Sequence, residues 1–439
     1  MKKLLLTLFC CIAAAAAPAQ APNESPTPEP TPAAPTPLDP ALFAETVWDS
    51  PGPQWVEANK ALGFHWISAA HDTAQSTRKG AKLLEIPVCQ TLARFEGERL
   101  KEITVLFYNR GDMGTLGRRD YDALIKKAVD AVSTATKVQF VPRGRDASNA
   151  VRADGVTWTT PRVVYLLEYS CTHTPEIPFR AEFVRLRISP GVDKSKGFLA
   201  ASFEATKKAA APFRGTDHVT RDVASGDVVI KDVPMVDQGQ KGYCVVAASE
   251  RLLRYYGIQA DANELAQLAN SSAEEGTSVR AMMESLKKLT ARLKIRVRPV
   301  YEISFEQLIA DYQQAAKRAK DTGINPSVQD LGALYEQMKP DILRAARTKS
   351  KSEMGAFQRH VKTRIDGGYP LLWAVVLGVL PDGSPAKVPS GHMRLIIGYN
   401  EKTQEILFSD TWGAGHELKR MPLVDAWAIT NYLSTVEPF

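Results

Sequence analysis

The stretch VDQGQKGYCVVAASERLLRYYG, residues 236–257, is the most informative segment of the sequence for the fold. It begins with two glycine-containing turns and continues into a helical pattern that Gly257 ends. After Cys244, apolar residues recur at the spacing of one helix face: Ala248, Leu252, Tyr255 and Tyr256. This spacing predicts a helix whose first turn contains Cys244.

A cysteine in the first turn of a helix lies where a thiolate is stabilised. Backbone N–H groups without helical partners and the helix dipole both favour an anion there, which lowers the pKa of a thiol. Gln238 and Gln240 precede Cys244 and supply amide donors that can hold an oxyanion. Gly-rich helix starts are also common elsewhere, so this pattern alone leaves a nucleophile and a structural cysteine equally open.

A thiol nucleophile needs a base, and the base needs a group that orients it. YPLLWAVVLGV, residues 369–379, predicts a buried strand; HMRLIIGYN then begins a second strand with His392, and EILFSD ends a third with Asp410. If the second and third strands pair antiparallel, His392 and Asp410 meet at one end of the hairpin. His416, six residues after Asp410, is an alternative base.

The N-terminus and the composition indicate the setting of the protein. With 439 residues, 44% of them hydrophobic and 24% charged, the chain is long enough for two or three domains. Lys2 and Lys3 precede an apolar run and then APAQA, the order of a secretory signal over residues 1–21, so we predict export. A lipid anchor at Cys10 or Cys11 is disfavoured, because a large residue precedes each cysteine. No later run of about 18 apolar residues occurs, so we predict no membrane span after the signal.

Charge and histidine spacing argue against several other function classes. The formal net charge of +6 is small for this length, and the densest basic stretch, residues 287–298, mixes its charges with regularly spaced Leu, Ile and Val. We interpret that stretch as a solvated face beside a core and predict no nucleic-acid binding. His65, His71 and His173 show no paired spacing, so we predict no metal site among them.

Composition shifts divide the chain into segments. The predicted order is a signal peptide over 1–21, a Pro/Thr/Ala-rich linker over 22–42, an α+β domain of unknown function over 43–212, a connector over 213–232, and a C-terminal domain over 233–439 with a helical insertion over about 303–366. In the first domain, strand-like alternation surrounds a helical pattern at 118–137. Inhibition by this domain is one hypothesis, and targeting or substrate binding are others.

Three cysteines remain after removal of the signal peptide: Cys89, Cys171 and Cys244. Cys89 and Cys171 lie in two strand-like segments of the first domain, and in an oxidising compartment they can form a disulfide across a sheet. Cys244 would then be the one thiol left over. The alternative is that all three are buried, inert cysteines.

Three motifs together carry a family resemblance. The sequence contains Q-G-x-x-G-x-C at 238–244, G-H-x-R-L-I-I-G-Y at 391–399 and D-T-W-G at 410–413. In this order they resemble the motifs of papain-like cysteine peptidases, and among these the C39-like peptidase family. The resemblance covers about residues 233–439. It implies a papain-like α+β domain in which an N-terminal Cys helix packs on an antiparallel sheet that carries the His and the Asp.

The resemblance also implies a role for each catalytic position. Cys244 would attack the acyl carbon, and His392 would act as the base. Asp410 would orient His392, while Gln238 would contribute to the oxyanion hole. Trp412 resembles the tryptophan that shields the contact between the His and the third residue.

The implied activity is hydrolysis of peptide or isopeptide bonds in a protein or peptide substrate, without metal or cofactor. Gly242, in the turn before the nucleophile, would support the site. Two alternatives stay open on the sequence: a catalytically silent papain-fold module that binds peptides, and a thiol amidase or transpeptidase that acts on cell-wall peptides.

Overall fold

A computed structural model describes residues 36–43, 45–143, 151, 153–191, 213–239, 242–258, 260–272, 276–328, 330–384 and 386–439. These residues fall into two compact units, 36–191 and 213–439. The predicted signal peptide and most of the predicted linker lie outside the described residues. None of the helices in the described ranges has the length and apolar composition needed to cross a membrane.

The first unit is built mainly from strands. They are β1 (Thr36–Pro37), β2 (His65–Trp66), β3 (Thr73–Ser76), β4 (Ala81–Leu83), β5 (Ile86–Pro87), β6 (Gln90–Glu96), β7 (Arg99–Asn109), β8 (Val141–Pro142), β9 (Asp154–Thr159), β10 (Val163–Thr172) and β11 (Arg180–Pro190). The helices are α1 (Asp39–Leu42), α2 (Gly52–Ala58), α3 (Arg110–Met113) and α4 (Arg118–Thr136), with 3-10 helices at Glu45–Trp48 and Lys60–Leu62. The main sheet has the strand order β2-β3-β6-β7-β11-β10-β9-β8.

Helix α4 covers the predicted helical segment of this unit. Tyr121, Ala128 and Val132 recur on one face of α4 and are buried, while Lys137 ends the helix in the left-handed conformation. The helix packs against β9, β10 and β11. A helix on an antiparallel sheet confirms the predicted α+β class for the first unit.

The possible disulfide between Cys89 and Cys171 is not formed in the structure, where both cysteines are thiols. Cys89 directly precedes β6 and Cys171 lies in β10, with β7 and β11 between these two strands. Neighbouring strands lie about 4.8 Å apart, so β6 and β10 are separated by about 14 Å. A disulfide requires Cα atoms within about 7 Å of each other. The Cys89 thiol instead donates a hydrogen bond to the carbonyl of Leu106 at 3.3 Å.

The second unit combines an antiparallel sheet with a larger set of helices. Its strands are β12 (Val219–Arg221), β13 (Asp227–Ile230), β14 (Ile295–Glu302), β15 (Leu371–Leu377), β16 (Ser390–Asn400), β17 (Glu405–Ser409), β18 (Lys419–Pro422) and β19 (Thr430–Pro438). Its helices are α5 (Cys244–Tyr255), α6 (Ala262–Leu268), α7 (Val279–Lys288), α8 (Thr290–Leu293), α9 (Phe305–Arg318), α10 (Leu331–Glu336), α11 (Pro340–Arg347), α12 (Lys351–Asp366) and α13 (Leu423–Ile429), with a 3-10 helix at Gly215–His218. Helices α9 to α12 occupy the predicted insertion.

The sheet of the second unit has the order β12-β13-β16-β15-β19-β14, and β17 joins β16 to β18. Helix α5 packs against β16, and nearly every residue of α5 is buried. All of β15, which pairs with β16, is buried too. Because α5 begins with Cys244 and β16 carries His392 near its start, this packing brings the two residues to the same region.

The predicted connector at 213–232 contributes to this sheet instead of linking two domains. It contains β12 and β13, and β13 pairs with the end of β16 through Val228 and Tyr399. Val228 and Ile230 are buried. The polar, glycine-containing composition of this segment belongs to the turn of a short hairpin, which composition alone does not distinguish from a linker.

Candidate active site

Cys244 is the first residue of α5, with Tyr243 at the N-cap position. Its thiol is completely buried. The turn before it is held by Thr277, whose hydroxyl donates to the carbonyl of Gly242 at 3.2 Å. As the sequence predicted, the sulfur lies in the first helical turn, where unpaired N–H groups and the helix dipole favour a thiolate.

His392 and Asp410 meet through the antiparallel pairing of β16 and β17. Leu395 pairs with Ser409 in this hairpin, and Asp410 follows directly. The Nε2–H of His392 donates to Oδ1 of Asp410 at 2.9 Å. A second side-chain hydrogen bond joins His392 to Cys244. Since Nε2 faces the carboxylate, Nδ1 is the nitrogen that can exchange a proton with the thiol.

The charged forms of His392 and Asp410 stabilise each other. Burial opposes the charged imidazolium, but hydrogen bonds to Asp410 and Cys244 outweigh it and raise the pKa of His392. Burial also opposes the charged carboxylate, yet the hydrogen bond from His392 and the charge of Arg394 outweigh it and lower the pKa of Asp410. Both shifts favour the charged pair, and a protonated His392 can stabilise a thiolate.

Trp412 covers one face of the His392 imidazole. Its ring stacks on His392 with the centroids 4.4 Å apart and the planes 11° apart. The ring of His416 contacts Trp412 edge-on, at 5.4 Å. Burial, followed by the charge of Lys419, lowers the pKa of His416. The hydrogen bonds to Cys244 and Asp410 belong to His392, so the geometry favours His392 over His416 as the base.

Gln238 is anchored to the residue that follows Asp410. Its backbone N–H donates to the carbonyl of Thr411 at 2.9 Å, and its side-chain oxygen accepts a hydrogen bond from the Thr411 hydroxyl. These contacts orient the side chain, so that its NH₂ end is the group that can donate to an oxyanion. Gln240 lies outside the described residues.

Arg251 connects the Cys helix to the strand end that carries Asp410, a contact that the sequence analysis missed. Its guanidinium donates to the carbonyl of Pro234 at 2.7 Å, to the carbonyl of Asp410 at 2.5 Å and to the hydroxyl of Ser409 at 2.6 Å. Arg251 follows Cys244 by seven residues and therefore lies on the same helix face. An arginine on the buried face of α5 was the signal that could have revealed this contact.

Replacing Arg251 with methionine is expected to destabilise the protein by about 3 kcal/mol, because two buried oxygens and one partly buried oxygen lose their donor. The measurement is urea unfolding of the variant and of the wild type. Arg254→Met on the same helix is the matched control, since Arg254 pairs with Glu250 at 3.7 Å and is partly exposed. Equal losses of stability in the two variants would contradict a connecting role for Arg251.

Two further cations contact the Asp410 carboxylate. The Nε–H of Arg394 donates to Oδ1 at 2.8 Å, and the ammonium of Lys419 lies 3.3 Å from Oδ2. Arg394 follows His392 by two residues on β16, so both side chains point to the same face of the sheet. That spacing was visible in the G-H-x-R motif, whereas the approach of Lys419 from β18 was not.

Residues 230–435 match the profile of the Peptidase_C39 like family. This part of the chain is a C39-like peptidase domain. The family identifies the protein as a cysteine-type peptidase that acts on proteins or peptides. No group of His, Cys, Asp and Glu in the described part of the chain could hold a metal ion.

The other comparisons add little to the family assignment. No curated protein matches the chain. One similar solved structure is xylellain, a cysteine protease from Xylella fastidiosa, with 14% identity and a TM-score of 0.28 over 50% of this chain and 90% of that chain. A similarity with so low a TM-score supports no argument about the C39-like domain.

Proposed function

We propose that this protein is an exported cysteine peptidase that hydrolyses peptide or isopeptide bonds through a Cys244–His392–Asp410 triad. The observation that carries the proposal is the position of His392, which is hydrogen-bonded to both Cys244 and Asp410. A base between a nucleophile and an orienting carboxylate is the arrangement that acyl transfer requires. The papain-like order of these residues on a Cys helix and an antiparallel hairpin supports the same conclusion.

The first half of the reaction forms a thioester. His392 as imidazolium stabilises the Cys244 thiolate, which attacks the carbonyl carbon of the substrate. The side-chain amide of Gln238 and the backbone N–H of Cys244 donate to the developing oxyanion. When the tetrahedral intermediate collapses, His392 gives its proton to the leaving amine and becomes neutral.

The second half releases the acyl group. Neutral His392 takes a proton from water, and the resulting hydroxide attacks the thioester carbonyl. Collapse of this intermediate expels the thiolate of Cys244 and frees the carboxylic acid, which restores the thiolate–imidazolium pair. Trp412 on the face of His392 keeps bulk water away from the hydrogen bond to Asp410.

Export rests on the N-terminal sequence. Residues 1–21 combine two lysines, an apolar run and small residues in the order of a secretory signal. An exported peptidase would meet its protein or peptide substrate outside the cytoplasm.

The test of the proposed triad is labelling with a peptidyl acyloxymethyl ketone, followed by mass analysis of the intact protein and its peptides. We expect one fast label on Cys244 that His392→Ala slows strongly. Cys171 serves as an internal reference, because it is an exposed thiol whereas Cys244 is buried. Labelling of Cys244 no faster than that of Cys171, or unaffected by His392→Ala, would contradict an activated thiol.

A further inference from the structure

Arg394 lies at the centre of a buried chain of alternating charges. Its side chain is completely buried and packs over the ring of Phe408, 4.5 Å from the ring centroid. On one side its Nε–H donates to Asp410. On the other side its Nη2 lies 3.6 Å from the carboxylate of Asp382 and 3.4 Å from the backbone carbonyl of the same residue. The order of the chain is His392, Asp410, Arg394 and Asp382.

A single oxygen of the Asp410 carboxylate accepts hydrogen bonds from two different side chains. Oδ1 of Asp410 accepts from His392 at 2.9 Å and from Arg394 at 2.8 Å. The two donors differ in chemistry, because the imidazole gains and loses a proton during the reaction whereas a guanidinium stays protonated. Arg394 is therefore the partner whose charge does not change during turnover.

A buried carboxylate needs a counterion of constant charge when its other partner gains and loses a proton. After His392 protonates the leaving amine, it is neutral until water attacks the thioester. During that interval Asp410 would face a neutral imidazole, and an uncompensated buried charge is costly. The carboxyl group would then take up a proton or rotate away from the imidazole.

We propose that Arg394 is a positioning residue of the triad, which keeps Asp410 ionised and directed at His392 through the steps in which the imidazole is neutral. This inference rests on the proposed triad. Arg394 does not touch the reacting atoms and acts through Asp410. Asp382 in turn holds the guanidinium from the opposite side.

The other charged groups around Asp410 are less suited to this role. They are Lys419 of β18 at 3.3 Å from Oδ2, Arg251 of α5 on the backbone carbonyl, and His416 in the loop after Trp412, which contacts Asp410 through backbone atoms. Lys419 is partly exposed and also reaches the carbonyl of Gly383, so solvent screens its charge. Only Arg394 among these groups is both fully buried and bonded to the oxygen that His392 uses.

The experiment compares Arg394→Gln, which removes the charge, with Arg394→Lys, which keeps it. We expect Arg394→Gln to lower kcat/KM about 100-fold, because Asp410 no longer fixes the imidazole. In a plot of kcat/KM against pH, the acid limb of this variant should move to higher pH by about one unit, because the Asp410 carboxyl group loses a neighbouring cation. Arg394→Lys should keep the acid limb of the wild type and at least about a tenth of its kcat/KM.

Arg347→Met is the matched control, since it removes another buried arginine of the same domain. The Arg347 guanidinium bonds the hydroxyl of Tyr301 and the backbone carbonyls of Trp427 and Thr430. We expect this variant to unfold at lower urea concentration while its pH profile keeps the wild-type shape. A pH shift confined to Arg394→Gln separates a positioning role from a general loss of packing.

Two results would overturn the proposal. One is a folded Arg394→Gln variant with the acid limb and kcat/KM of the wild type. The other is a folded Arg394→Lys variant that has lost the wild-type acid limb, and this result decides the matter even if Arg394→Gln does not fold. If Cys244 of the wild type is labelled no faster than Cys171, the proposed triad is wrong, and the proposed role of Arg394 is then wrong as well.

Discussion

Replacing His392 with alanine is expected to lower kcat/KM for peptide hydrolysis by about 10⁶-fold, the scale of losing the base of a catalytic triad. The variant lacks both the cation that stabilises the Cys244 thiolate and the acid that protonates the leaving amine. The loss should appear mainly in kcat, because His392 is buried and acts in the proton-transfer steps. Hydrolysis of a fluorogenic peptide mixture, with the concentration of folded protein known, measures the effect.

His416→Ala is the control for this prediction. His416 lies on the edge of Trp412, whereas His392 stacks on its face and contacts Cys244. We expect His416→Ala to retain kcat/KM within about fivefold, since the ring of His416 bonds neither member of the Cys–Asp pair. A loss for His416→Ala as large as that for His392→Ala would mean that the base has been assigned to the wrong histidine.

Replacing Asp410 with alanine is expected to damage both stability and activity. It leaves Arg394 and Lys419 without their shared carboxylate, and removal of one partner from a buried ion pair costs about 3–5 kcal/mol. It also removes the group that orients His392, so kcat should fall about 10⁴-fold. Urea unfolding and steady-state kinetics on the same preparations measure the two effects.

The stability loss of Asp410→Ala should depend on pH in a defined direction. The pKa of Asp410 is lowered in the folded protein, so its carboxylate stabilises the fold above the ordinary carboxyl range. That contribution disappears as the pH falls through the lowered folded-state pKa. The difference in unfolding free energy between wild type and Asp410→Ala should therefore be full at neutral pH, begin to shrink as the pH falls through the ordinary carboxyl pKa, and lose its charge-dependent part below the lowered folded-state pKa.

Two controls separate the functions of the Asp410 side chain. Asp410→Asn keeps a hydrogen-bond acceptor without the charge, so it should retain more activity than alanine while still destabilising the cation cluster. Asp425→Ala removes another buried aspartate, which pairs with Arg344 at 2.6 Å away from the triad. We expect Asp425→Ala to lower stability with kcat unchanged. An Asp410→Ala variant with the kcat of the wild type would rule out an orienting role.

Local patterns were sufficient to predict the elements that carry the proposed triad. The apolar spacing after Cys244 predicts α5, which runs from Cys244 to Tyr255 in the structure. The two downstream strand patterns predict the hairpin that joins His392 to Asp410. Each of these predictions depends on periodicity within one element, or on the pairing of two neighbouring strands, and such information is contained in a short window of sequence.

Patterns within short stretches of sequence were insufficient where contacts depend on strands that are distant in sequence, or where only the composition of a segment was used. A disulfide between Cys89 and Cys171 was possible because both lie in strand-like segments, whereas the strand order inserts β7 and β11 between them. The connector prediction followed polar composition over 213–232, although β13 of that segment completes the sheet beside β16. Strand order in a sheet is a property of the assembled fold, so no local pattern encodes it.

The buried cations around Asp410 show the same limit most clearly. Arg251 lies 159 residues before Asp410 in the sequence, yet its guanidinium bonds the backbone of that residue. Nothing in the local sequence shows that Arg251, Arg394 and Lys419 converge on one residue, because they lie on three different elements, α5, β16 and β18. A charge can be buried only where a partner of opposite charge and suitable acceptors converge on it, and that convergence arises when α5, β16 and β18 pack around one carboxylate.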